Sequence, residues 1–471
     1  MISHPFTNSD FKDKRLSNRA NRVLSAMTLA GSSVINRIFC TFTEKVAAYR
    51  MINNEKVSCA SIIDAYKNSC KQRVQTNNCS HVLCLQDTCE INYEAHALRM
   101  RKKGKKPGCV SNEETGCFLH PTLAINSQTF MPLGFTSIKM WKREEGATPN
   151  SKERAYKKMA PQEKESFRWC EAIDNTRELI GGEVAVTMLS DRESDIYEVL
   201  KRADSEVRII VRSNQNRRIK RHDTKLHDMM RSLHPSGTYE LFIPSSHGRR
   251  ARLVKMEIRY TSVELERPAD AFNSSDANVR LNCICVSEVG ASVPPNVKPI
   301  EWILLTNHEV NSVEQALQCV NWYKCRWFIE ELFRLLKRKG FMIEDIELEN
   351  AVSLEKNILF AAYAAIRCIL LKHVFDHADH YKRLPAHGVF TREEVEVAEI
   401  MLLKLNGRTV KQQNPYPKGT LPWMAWIIAR FGCWTGYITQ SRPGYITFKN
   451  GLDRLNKYCD VYLIMKDVYK G

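Results

Sequence analysis

Hydrophobic and polar positions divide the chain into distinct textures. Residues 1–75 read as helical, and residues 81–87 (His-Val-Leu-Cys-Leu-Gln-Asp) as a buried strand that ends in a carboxylate. Two more strand-like stretches fall at 122–125 and 132–140. A polar helix over 162–179 leads into a continuous apolar run, 184–191, which also ends in an aspartate. Such a run suits a central strand covered on both faces. A short helix at 196–202 and a strand at 208–212 follow, so the order of elements predicts a mixed α/β sheet. From 214 to 306 the pattern changes to short alternating strands and polar loops (239–243, 252–260, 279–286 and 302–305), a β-rich insertion. A long helix is predicted over 313–339 and an apolar one over 356–372. The remaining tail is largely helical, with a loop at 412–420. No internal repeat or low-complexity tract interrupts this order. Three domains are expected: a helical one over 1–75, a core over 76–372 and a helical one over 373–471.

Composition narrows the function. A chain of 471 residues with 43% apolar residues can build two to four domains with real cores. Lys and Arg number 70 against 53 Asp and Glu, a net charge of +17. That excess points to a polyanionic partner, nucleic acid first and an anionic membrane surface second. It is unevenly spread. Residues 1–75 hold 12 basic and 5 acidic side chains, with Arg15, Arg19 and Arg22 on one helical face. Six of the eight residues 99–106 are Lys or Arg, in a Gly-containing loop just past the end of the 81–87 strand. No run of 18 apolar residues occurs. The longest candidate, 358–371, is broken by Arg367 and reads as a buried helix, which excludes a membrane span. The first ten residues lack the basic-then-apolar pattern of a secretion signal, so a cytoplasmic place is expected. The 16 cysteines form no Cys-x-x-Cys, and Cys283 and Cys285 share one sheet face, so reduced, mostly buried thiols are expected.

The candidate chemistry centres on acids. Asp87 and Asp191 stand at the ends of buried strands, where side chains leave a core yet stay rigidly held. Converging carboxylates are the usual way to hold Mg²⁺ beside phosphate, although a strand-end aspartate also serves as a helix cap. On a continuous helix Tyr323, Arg326, Glu330, Arg334 and Lys337 fall within roughly 80° of one another along about 21 Å of axis. One carboxylate flanked by cations and a ring could follow several phosphates. The competing reading is an exposed face held by Arg326–Glu330 and Glu330–Arg334 pairs. His373, His377 and His380 have a spacing similar to that of zinc ligands, but a solvated helix end before Pro385 is the preferred reading. No Gly-x4-Gly-Lys-Ser/Thr loop is present, which disfavours ATP-driven action. Nothing supports a Cys–His nucleophilic enzyme.

Tyr323-x2-Arg326-x3-Glu330-x6-Lys337 is similar to the Y-R-E-K signature of bacterial cut-and-paste DDE transposases of the insertion-sequence-four family. Asp191-Arg-Glu-Ser-Asp195 resembles that family's second-acid motif and Asp87-Thr-Cys-Glu-Ile-Asn-Tyr93 its first, with Cys89 where the family more often has Thr. The order Asp, Asp, β-rich insertion, Glu also matches. Weaker likenesses extend to Ala48-Tyr-Arg50 and Ala429-Arg-Phe-Gly432. The resemblance implies an RNase H-like sheet flanked by helices, with the insertion placed before the helix carrying the third acid. It implies Asp87, Asp191 and Glu330 as catalytic ligands of Mg²⁺, two ions in number, with Mn²⁺ able to substitute. Tyr323, Arg326, Arg334 and Lys337 would grip DNA, Arg212 would meet a phosphate, and Trp302 and Trp327 would stack a flipped base. The implied partners are double-stranded DNA (the element's ends and its target) and a second copy of the chain in the DNA complex, without ATP or membrane. The expected activity is that of a DNA transposase. The alternatives are a junction-resolving nuclease of the same fold and a catalytically silent DNA-binding regulator.

Overall fold

The computed structural model describes residues 5–7, 10–93, 108–110, 114–144, 159–243, 251–269, 277–290, 293, 297–337, 340–346, 348, 350–437 and 442–468. The basic stretch 99–106 lies outside the described residues. The chain packs as two compact units, one of residues 1–78, 88–148 and 328–471, the other of 79–87 and 149–327.

In chain order the strands are β1 (His81–Gln86), β2 (Cys89–Asn92), β3 (Gly116–Asn126), β4 (Pro132–Trp141), β5 (Ala185–Ser190), β6 (Val207–Arg212), β7 (Gly237–Ile243), β8 (Arg252–Leu265), β9 (Val279–Glu288) and β10 (Glu301–Thr306). The helices are α1 (Lys14–Ala30), α2 (Ile35–Ile38), α3 (Phe42–Ile52), α4 (Cys59–Thr76), α5 (Arg168–Ile180), α6 (Tyr197–Leu200), α7 (Leu226–Ser232), α8 (Val313–Lys324), α9 (Trp327–Leu336), α10 (Ala351–Asp376), α11 (Arg392–Leu405), α12 (Leu421–Phe431) and α13 (Tyr445–Val468).

The second unit is built on a mixed sheet. β1, β5 and β6 run parallel. Beyond β6 come β10, β9, β8 and β7, each antiparallel to its neighbour. β1 and β5 are buried at nearly every position, which is why their sequences are unbroken apolar runs. β7 alternates covered and exposed positions instead. The β-rich insertion therefore extends the sheet, and β10 brings the chain back against β6 through Leu304 opposite Arg212 and Leu305 opposite Val211. Within this sheet the Thr187 hydroxyl lies 2.8 Å from Nε2 of both His81 and His308, able to donate to one ring and accept from the other. Trp322 packs against both rings, with centroids 4.8 and 5.0 Å away.

The first unit is organised around α10. Its most apolar 18-residue window has a mean hydropathy of 1.8 and is 94% buried. By length and composition alone this helix could cross a membrane; here it is a core helix. Arg367, the charge that interrupts it, is itself buried and held by Glu394 at 2.9 and 3.0 Å. The N-terminal helices are fastened to α10 by polar contacts. Lys356 donates to the carbonyls of Ile52 and Asn54 at 3.0 and 2.9 Å, Ser353 to Asn53 Oδ1 at 2.7 Å and Asn357 to the carbonyl of Ser33 at 3.2 Å. α1 starts at its cap Asp13 and stops at Gly31, whose φ of +54° favours glycine. The chain of Lys449 from α13 occupies the space a Cβ there would need, 2.8 Å away. On α1, Arg15 pairs with the cap Asp13 and Arg22 with Glu44 of α3, so two of the three arginines read as one basic face have carboxylate partners. β2, β3 and β4 form an antiparallel meander. The tail is helical as expected, and Trp423, Trp426 and Phe448 are buried within it. Most of the 16 cysteines are buried.

Candidate active site

Parallel strands in register deliver their last residues to one edge, and here those residues are charged. β1 and β5 pair from His81 opposite Ala185 to Leu85 opposite Leu189. Carried on by two residues, the register sets Asp87 opposite Asp191. β5 and β6 pair up to Ser190 opposite Val211, so the next position sets Asp191 opposite Arg212. Adjacent strands lie about 4.8 Å apart. The carboxyl edge of the unit thus carries a row of carboxylate, carboxylate and guanidinium.

Other elements of the same unit close around that row. Arg326, in the turn between α8 and α9, donates from Nη1 to Asp87 Oδ2 at 2.9 Å, with 15% and 17% of the two side chains exposed. Its guanidinium carbon lies 6.0 Å from the centre of the Tyr323 ring. Tyr323 is buried, and burial pushes its phenol above the ordinary value, while the nearby Arg326 and Arg212 act in the opposite direction. Trp302 of β10 meets the Tyr323 ring edge-on at 5.8 Å. Burial lowers the pKa of Arg212, and the neighbouring cations Arg192 and Arg326 add to that effect, opposed by Tyr323. Asp191 accepts the backbone N–H of Glu193 at 2.9 Å and so also caps the short turn that follows it. Capping and site placement coexist in this residue.

Sequence reasoning missed Arg168. It opens α5, is only 11% exposed, and donates to Glu193 at 2.7 Å. Burial lowers its pKa, opposed by Glu193 first and by Asp191 and Asp87 among the other acids that bear on it. A single arginine in a polar helix carries no periodic or spacing signal; only the packing brings it to these acids. Asp195 was legible as the end of a motif, but its role was not. It is fully buried and ties down the loop that follows Arg212.

The long helix predicted over 313–339 is two helices. Cys325 and Arg326 donate backwards to the carbonyls of Trp322 and Tyr323 at 2.9 and 3.0 Å in tight three-residue turns, and α9 restarts at Trp327. The single stripe drawn through residues 323–337 is therefore corrected: Tyr323 faces inward, whereas Trp327 is 61% exposed. Glu330, Arg334 and Lys337 belong to the other unit. Glu330 is half-buried on α9. Arg334 donates from Nε to Glu331 Oε2 at 2.7 Å. Lys337 comes just after the helix end, its N–H bonded to the Phe333 carbonyl at 3.2 Å.

His373 is a core residue of α10, bonded to the carbonyl of Thr129 at 2.8 Å and the Tyr381 hydroxyl at 3.1 Å, and burial lowers its pKa to about 4. Among the described residues no three His, Cys, Asp or Glu side chains are grouped as the ligands of one ion. The donor set at the strand ends does suit a hard cation: two neighbouring carboxylates, oxygen donors only, at a charged and partly open edge.

The edge of this unit thus sets two acids among the arginines Arg168, Arg212 and Arg326. Residues 1–57 match the model of a family described as transposase DNA-binding. That match supports a transposase that binds DNA.

Proposed function

We propose that the chain is a DNA transposase that binds the ends of its own element, cleaves them by metal-dependent hydrolysis and transesterification, and joins the 3′ ends to target DNA. One observation carries this reading. Asp87 and Asp191 stand in register on adjacent parallel strands among Arg168, Arg212 and Arg326, in a chain whose first 57 residues match a transposase DNA-binding family. The sheet is assigned to the RNase H-like class, with Asp87, Asp191 and Glu330 as ligands of Mg²⁺ or, in its place, Mn²⁺. Two ions bound there would activate the attacking oxygen and stabilise the leaving one.

The chain's own residues position the DNA. Arg212 and Arg326 neutralise phosphates beside the acids, and Arg334 and Lys337 of the other unit also contact the DNA. Tyr323 grips the DNA beside Arg326, and Trp302 and Trp327 offer ring faces for an unstacked base, offsetting the few kcal/mol that unstacking costs. Two ends are held by two copies of the chain, without ATP. The last turns of α13 supply an apolar contact for the second copy, since Val461, Ile464, Met465 and Val468 are all more than half exposed.

The test is a plasmid carrying the element with its flanking repeats, incubated with the full chain and Mg²⁺. Excised element and joined products are expected. Preferential cutting of four-way junctions would replace this reading with a junction nuclease. Specific binding without cleavage in Mg²⁺ or Mn²⁺ would replace it with a silent regulator.

A further inference from the structure

We propose that Arg326 occupies the metal side of Asp87 until DNA draws it away, so that divalent-cation binding and DNA binding are coupled through this one side chain. The inference rests on the transposase reading of the site. It begins from the contact itself: Arg326 Nη1 sits 2.9 Å from Asp87 Oδ2, with both side chains largely covered. An oxygen that accepts a guanidinium N–H at that distance cannot coordinate a divalent ion along the same lone pair, and the guanidinium charge repels the ion. Arg326 is therefore a competitor for the site rather than a spectator beside it.

The surrounding charge strengthens the competition. Asp87, Asp191, Glu193 and Glu165 contribute four negative charges, against four positive ones on Arg168, Arg192, Arg212 and Arg326. In the absence of nucleic acid an incoming cation meets an edge that is already compensated. A DNA phosphate changes both terms at once. It adds negative charge and offers Arg326 a bidentate partner at least as good as one carboxylate oxygen. The backbone permits the exchange, because Arg326 lies in the turn between α8 and α9 and not inside either helix. By reciprocity, whatever factor DNA adds to metal affinity, the metal adds to DNA affinity.

The probe is Mn²⁺ alone, followed by the loss of its free-ion paramagnetic resonance signal on titration into the full-length chain. Wild type, Arg326→Met and Arg326→Lys are compared, each with and without a duplex carrying the element's end. Without DNA, Arg326→Met is expected to bind Mn²⁺ about tenfold more tightly than wild type, a factor typical of coupled sites. Arg326→Lys should bind as weakly as wild type. Duplex should tighten Mn²⁺ binding by wild type to the Arg326→Met level and change Arg326→Met little. Asp87→Asn in the Arg326→Met background should remove the gain. Circular dichroism melts confirm that each variant is folded. Equal Mn²⁺ affinity of wild type and Arg326→Met, with binding still lost in Asp87→Asn, would overturn the coupling and leave the metal site standing. No Asp87-dependent Mn²⁺ binding in any variant, with or without DNA, would overturn both the coupling and the metal-dependent reading beneath it.

Discussion

Asp195 and Arg217 meet inside the unit that carries the two strand-end aspartates, with 0% and 6% of their side chains exposed. Arg217 donates from Nε and Nη2 to Asp195 Oδ1 at 3.1 and 2.8 Å, while Oδ2 accepts the backbone N–H groups of Asn214 and Gln215 at 2.7 Å each. The last acid of the Asp-Arg-Glu-Ser-Asp stretch thus fixes the loop directly after Arg212. Removing one partner of a buried pair costs about 3–5 kcal/mol, because the other charge is left uncompensated. Asp195→Asn keeps the shape and loses the charge. It is expected to lower stability by that order in urea unfolding and to weaken DNA binding through a displaced Arg212. Wild-type stability in Asp195→Asn would show that the pair is dispensable.

The acids should separate chemistry from grip. Alanine at Asp87, Asp191 or Glu330 is expected to abolish Mg²⁺-dependent cleavage while end binding in a gel shift persists. Asp87→Ala also releases Arg326, so it should bind end DNA at least as tightly as wild type. Metal-dependent nicking retained by any one variant would remove that residue from the site.

The histidines around Thr187 predict a pH dependence of stability. Burial, with Arg208 acting in the same direction, lowers His81 to about 4 and His308 to about 3, against an ordinary value near 6.5. Each therefore binds fewer protons folded than unfolded in the interval between. Their stabilising contribution is complete above about 6.5 and is lost as pH falls toward about 4. A melting-temperature series from pH 7.5 to 4.5 should fall on acidification. The fall should be shallower in a His81→Gln, His308→Gln double variant. Parallel curves would show that the acid sensitivity arises elsewhere.

Lys337 and Arg334 make different predictions although both were read as one stripe. Lys337 lies just past the end of α9, so if it meets a phosphate, Lys337→Ala should reduce the salt slope of DNA binding by about one. Arg334 is already engaged by Glu331 and stands 5.9 Å from the ring of Tyr445. Its replacement by Ala should therefore also cost about 0.5 kcal/mol of stability, the size of a partly exposed pair. Unchanged affinity and slope in Lys337→Ala would leave that residue a solvated side chain.

Much of this arrangement was legible because it depends on local rules. Buried parallel strands announce themselves as unbroken apolar runs, so β1, β5 and β6 and their terminal charges could be placed from the chain alone. What could not be read depends on register and packing. Nothing in the sequence sets Asp87 opposite Asp191 and Arg212, because a parallel register is fixed by contacts between distant segments. The helix wheel through Tyr323 and Lys337 failed for a similar reason. A two-residue tightening at Cys325 and Arg326 breaks the phase without any proline or glycine to mark it. That same turn sets Arg326 against Asp87, and the pairing has no sequence signal at all.

The contacts of Lys356 bear on how DNA recognition can be dissected. The segment matched to a DNA-binding family closes on the carbonyls of Ile52 and Asn54, and a lysine about 300 positions later satisfies both. An excised fragment of residues 1–57 would leave those acceptors, and the apolar surface beneath them, to solvent. Its affinity for DNA is thus linked to the folding of α10, a helix that need touch no nucleotide. A truncation series from the C-terminus should lose end binding when α10 is cut, and a mutational map of recognition would then include Lys356 as a thermodynamic determinant of the DNA complex.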